Sequence, residues 1–150
     1  MRTFHGLDDL KAAVGEHLGH GEWLEITQER VREFADATGD HQWIHLDVER
    51  AARGPFGGTI AHGYLTLSLV PLLGRGIYRF EGFQAGVNYG LNKVRFPTAV
   101  KVGARVRMGS ELLEVTEAKF GVQAVFRQTI EIQGEAKPGC VADAVVLLVP

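Results

Sequence analysis

The nine residues Gly39-Asp40-His41-Gln42-Trp43-Ile44-His45-Leu46-Asp47 carry two imidazoles and two carboxylates. A carboxylate is ionised at neutral pH, and an imidazole titrates near ~6.5. An acid at position 40 and a base at 45 that reach one small cavity can pass a proton to and from a bound water. The plainer alternative is a capping aspartate and a histidine buried with one hydrogen bond; spacing alone favours it. His41 and His45 also stand at i and i+4, where one helix face offers a metal pair with Asp40 or His62 as a third ligand. The segment follows a helix stop, HExxH is absent, and no spacing fixes the third ligand. No metal site is read here.

A second group is Thr59-Ile60-Ala61-His62-Gly63-Tyr64-Leu65. Gly63 falls where an apolar helix should begin, and free N–H groups there suit an anion or a developing oxyanion. Its alternative is a plain turn glycine. His62 reads as a cap or a buried donor. A third group is basic: Lys93, Arg95, Lys101, Arg105 and Arg107. Most such residues are solvated strand faces; the second reading is that one or two, Arg95 among them, hold the phosphates of a carrier such as CoA. Walker, GxGxxG and GxSxG patterns are missing, and no serine or cysteine has a base partner.

These residues need elements to hold them. Leu7, Leu10, Val14 and Leu18 share a face and predict a helix over 7–18, ended by Gly19 and Gly21. Trp23, Leu24 and Ile26 suggest a short strand. Thr27 reads as an N-cap with Glu29 in the first turn; Val31, Phe34, Ala35 and Thr38 continue one face, and Gly39 is placed as the C′ residue. Asp40 thus lies just past a helix stop. A short helix opens at Asp47 and stops at Gly54-Pro55. From His62 to Leu73 apolar residues occupy nearly every face, which predicts a helix buried on all sides, kinked at Pro71 and closed by Gly74 and Gly76. Val100–Val115, Phe120–Ile132, Val141–Val149 and part of Phe83–Phe96 alternate as antiparallel strands. The class is α+β, with a sheet curled round one apolar helix.

Composition narrows the function. The 150 residues suit a single domain spanning 1–150. A net charge of −2 and the absence of a basic block give no footprint for nucleic acid. One cysteine, Cys140, excludes an internal disulfide and most thiolate metal sites and fits a reducing compartment. Charges in the first sixteen residues argue against a signal peptide, and no apolar run is long enough to span a membrane. The expectation is a soluble cytoplasmic protein.

The residues resemble the MaoC-like dehydratases, a family that includes the (R)-specific enoyl-CoA hydratases and NodN-like proteins. Its motif runs Gly-Asp-x-Asn-Pro-x-His, then a loop, then an apolar-His-Gly entry to a buried helix. Gly39, Asp40 and His45 match, as do Ile60-Ala61-His62-Gly63; "PFGGTIAHGYLTLSLVPLL" looks like the central helix and "NKVRFPTAVKVGARV" like the strand and turn after it. The resemblance covers about residues 28–110 and reverses the plainer reading of Asp40 and His45. The chain departs from the pattern at Gln42-Trp43, where the family has Asn-Pro. Gln42 reaches one methylene further, and Trp43 fills more volume and would reshape the pocket mouth.

The resemblance implies a hot-dog fold, a homodimer paired through sheet edges, and syn hydration of a trans-2-enoyl thioester. Asp40 and His45 would hold one water, with Asp40 taking its proton and His45 returning one to C2, while Gly63 N–H meets the charge on the thioester oxygen. Gln42, Trp43, His62, Ser68 and Arg95 would contact substrate, Ser68 matching a family serine on the helix. Acyl-CoA is the substrate; no cofactor or metal is implied. Two rivals stand beside this: a hot-dog thioesterase, and an acyl-CoA binding protein in which Trp43 has closed the water site.

Overall fold

A computed structural model describes residues 1–150. The chain opens with strand β1 (Arg2–His5) and helix α1 (Gly6–Ala12). Asp9 in the first turn accepts from the His5 N–H at 2.8 Å and from Arg2; this hydrogen-bonded ion pair pulls the Asp9 carboxyl down to about 2. The predicted helix over 7–18 stops six residues early. Gly15 turns the chain at φ 89° and bonds Leu112 O at 2.7 Å, and residues 17–20 become strand β2 (His17–His20). Pairing with a distant strand overrides the helical spacing of Val14 and Leu18.

Strand β3 (Leu24–Glu25) leads into helix α2 (Gln28–Thr38). Thr27 Oγ1 accepts from Arg30 N at 3.2 Å, and Gly39 ends the helix at φ 83° with its N–H on Ala35 O, as the sequence indicated. A single helical turn, α3 (Trp43–Leu46), is followed by α4 (Val48–Ala52), whose cap is Asp47 through Arg50 N at 3.1 Å.

The apolar segment forms two short helices, α5 (Gly63–Ser68) and α6 (Val70–Gly74), with Pro71 at the second helix's start. The break agrees with the expected kink. Burial on all sides does not hold. Leu65, Leu69 and Leu73 face the core, whereas Tyr64 is 72% and Leu72 36% exposed. The covered stripe has a spacing of four residues; the opposite stripe has no element of this chain over it.

Strand β4 (Tyr78–Glu81) pairs in parallel with β1, a contact between distant segments that local pattern does not show. Then come β5 (Ala85–Arg95), β6 (Arg105–Ala118), β7 (Gly121–Ile132) and β8 (Cys140–Val149). They form an antiparallel sheet ordered β2-β6-β7-β8-β5, with β3 also on β6. Its core side packs Val106, Met108, Ile130, Cys140 and Ala142 against Leu65, Leu69 and Leu73; a second cluster joins Phe4 and Leu10 to Leu112, Phe126 and Leu148. Cys140 is fully buried, and burial pushes its thiol up to about 11. β5 pairs only with β8, so its outer edge is open, and it exposes Val87, Tyr89 and Leu91. No helix is long and apolar enough to cross a membrane. The hot-dog arrangement is present: one antiparallel sheet laid round the α5–α6 segment.

Candidate active site

Gly39 turns the chain out of α2, and Asp40 follows it directly. Asp40 Oδ1 accepts from Gln42 N at 3.3 Å, and its carbonyl accepts from His62 Nε2 at 3.0 Å. His45 sits on the α3 turn and is 6% exposed. Two contacts fix it, and a third bond braces one of them. Its carbonyl accepts from Gln28 Nε2 at 2.7 Å, and Gln28 Oε1 accepts from Thr59 at 2.7 Å. Its Nδ1 lies 2.7 Å from Ile60 O. A carbonyl only accepts, so Nδ1 carries the proton and Nε2 keeps the lone pair. That Nε2 stands 4.0 Å from Asp40 Oδ2. Burial lowers the His45 pKa from its ordinary value, against the Ile60 hydrogen bond and the Asp40 charge, which raise it. Burial thus favours the neutral ring.

Ile60 and Ala61 form the floor. Ile60 N bonds Ile44 O at 3.0 Å and Ala61 N bonds Val100 O at 2.7 Å. Directly beyond them α5 starts at Gly63, whose N–H in the first helical turn has no intrahelical acceptor. A cavity of about 480 Å³ is lined by His45, Gly63, Thr66, Phe56 and Phe96 among others. A Cβ on Gly63 would come within 3.2 Å of the Phe96 ring, so the glycine lets an aromatic wall lie close against the helix entry.

Asp40, His45 and His62 are therefore brought together next to Gly63; His45 and Gly63 line the cavity, and Asp40 and His62 stand behind its lining. The other expected residues lie elsewhere. Trp43 packs on Gly54, with the Arg50 guanidinium 4.1 Å over its ring, and does not line the cavity. Gln42 is exposed and starts the α3 turn. Ser68 donates to Tyr64 O at 2.6 Å and faces a separate groove beside Tyr89 and Leu91; the buried hydroxyl of α5 in the cavity is Thr66. Arg95 is exposed and bonds its neighbour's carbonyl, Val94 O. His41 turns away to Asp36 at 2.9 Å, and that contact raises its pKa. His62 does not cap α5 with its side chain.

Gln28, Thr66, Phe56 and Phe96 were not anticipated. One ligand atom each of Asp40, His45 and His62 lies within 4.8 Å of the others, the grouping a metal would need. His62 Nε2 directs its hydrogen at the Asp40 carbonyl, so the lone pair this residue offers is on Nδ1, which has no partner.

The chain belongs to the MaoC-like dehydratase family: residues 9–135 match the MaoC like domain. It is 56% identical to 3-hydroxyacyl-thioester dehydratase Z of Mycobacterium tuberculosis over 147 residues, 97% of each chain. It is 41% identical to Nodulation protein N of Rhizobium leguminosarum bv. viciae, covering 95% of this chain and 90% of that one. Its fold is similar to the (R)-hydratase from A. caviae involved in PHA biosynthesis, with a TM-score of 0.73, 27% identity, and coverage of 91% and 96% of the two chains.

Proposed function

We propose that this protein catalyses the reversible syn hydration of a trans-2-enoyl thioester to the (R)-3-hydroxyacyl thioester, with CoA as the carrier. The observation that carries the reading is the facing pair of acceptors, Asp40 Oδ2 and His45 Nε2, 4.0 Å apart beside a cavity that His45 and Gly63 line. A single water hydrogen-bonds two acceptors at that separation, because each O–H···acceptor distance is about 2.8 Å. Asp40 takes one proton as the water oxygen bonds to C3, and His45 holds the other hydrogen. The π electrons shift toward the thioester, whose oxygen the Gly63 N–H meets. C2 then receives the proton back from Asp40 on the same face, which restores the carboxylate. Because burial favours the neutral His45 ring, its part is that of acceptor rather than of a standing imidazolium.

Trp43 lies against Gly54 and leaves His45 open to the cavity, which favours turnover over binding alone. The family relation supports a dehydratase; the bare edge of β5 supports a homodimer joined there, which would remove an exposed edge. The direct test follows the loss of enoyl absorbance with crotonyl-CoA and a longer enoyl-CoA, without added metal, and then the chirality of the product. An (S) product or release of free CoA sinks the reading, the second in favour of a thioesterase.

A further inference from the structure

One buried group near the site is given no step by this chemistry. His62 is 3% exposed. Its Nε2–H donates to the Asp40 carbonyl at 3.0 Å. Its ring lies parallel over His45, centroids 3.7 Å apart at 22°, with Phe34 tilted against it at 4.9 Å. Its Nδ1 is buried with no partner. A ring kept for packing alone would be better as phenylalanine, which fills the same space and leaves no polar atom unpaired. What the histidine adds is one N–H, and that N–H is aimed at the backbone of Asp40.

We infer that His62 is a positioning residue: its hydrogen bond fixes the Asp40 segment over two stacked imidazoles, and its ring sets the plane of His45. The carboxylate is held evenly between the rings, with Oδ2 4.0 Å from Nε2 of each. Because His62 precedes Gly63 in the chain, the same residue ties the acid, the base and the helix entry into one frame. Gln28 braces the His45 carbonyl from the other side, so the acceptor pair is clamped at both members. The kinetic consequence rests on the hydration reading; the structural one does not.

Two substitutions separate the ring's contributions. His62→Phe keeps the stack and removes the donor. His62→Gln removes the stack and keeps an N–H near the Nε2 position. Loss of alignment at reacting groups costs up to about 100-fold, so His62→Phe is expected to lower kcat roughly 10- to 100-fold with KM within about twofold of wild type. Amide hydrogen exchange at Asp40–Gln42 should quicken in the same variant. His62→Gln should recover most of kcat and restore slow exchange. If His62→Phe does not fold, His62→Asn, whose amide N–H falls at the Nδ1 position, takes its place with the same expected loss. Unchanged kcat and exchange in the Phe variant, or a Gln variant as impaired as it, overturns the inference. A wild type that hydrates no enoyl thioester removes the hydratase reading alone; the exchange contrast still decides the role of His62.

Discussion

His45 gives its Nδ1 hydrogen to Ile60 and keeps a lone pair toward Asp40, and both kinetics and stability should report this. Asp40→Asn and His45→Gln are each expected to lower turnover about 10²–10⁴-fold with the fold intact. The double variant should lose little more, because both groups act on one water; single-turnover rates with crotonyl-CoA check this. The lowered His45 pKa sets the sign of the pH effects. On acidification Nε2 gains a proton and stops accepting, so the acid limb of kcat/KM should lie below the ordinary ~6.5. The unfolded chain binds this proton more readily than the folded one, so stability is full above the unfolded value and falls as pH drops from there toward the folded value. Melting curves from pH 8 to 5 should show that fall, and His45→Gln should flatten part of it. The meeting of Asp40 and His45 was legible only through the family motif, because their spacing alone favours a capping aspartate and a buried histidine. Gln28 was not: a glutamine seventeen positions before His45, on a helix, looks like any solvated side chain until the fold brings it to the His45 carbonyl.

Glycine distinguishes helix entry from helix exit. At the entry, the nearest atoms a Cβ on Gly63 would meet are those of the Phe96 ring, at 3.2 Å, and a side chain can shift by a few tenths of an ångström. Gly63→Ala is therefore expected to cost little in melting temperature; alanine keeps the backbone N–H, but its methyl would crowd the thioester oxygen away from that donor, at about 10²–10³ in rate. At the exit, a Cβ on Gly21 would approach the Leu73 carbonyl, which is backbone. Gly21→Ala should lower the melting temperature strongly and the rate of the folded fraction little. Thermal unfolding beside kcat for both variants checks the contrast; equal effects on both quantities at Gly63 would return it to a turn glycine. The caps at Thr27, Gly39 and Asp47 were readable because capping is local chemistry. The end of α1 and the β1–β4 pairing were not, because partners far away in the chain decide them. The segment 62–73 reads as buried all round because composition counts apolar faces without saying which surface covers each.

Taken whole, the molecule leaves apolar surface along one side: Val87, Tyr89 and Leu91 on the open edge of β5, with Tyr64 and Leu72 exposed on α5 and α6. An edge strand of this kind is a template for pairing, and sedimentation should find twice the chain mass. Val87→Lys together with Leu91→Lys should shift the population toward one chain mass; a wild type that is monomeric at micromolar concentration contradicts the pairing. The sheet's interior has a different consequence. An enoyl thioester is an electrophile twice over, open to thiol addition at C3 and to acyl exchange at its carbonyl. The chain's single thiol is sealed within the core and held protonated to about pH 11, and thiolate is the form that attacks. An enoyl thioester of the proposed kind would therefore find no thiolate of this chain within reach.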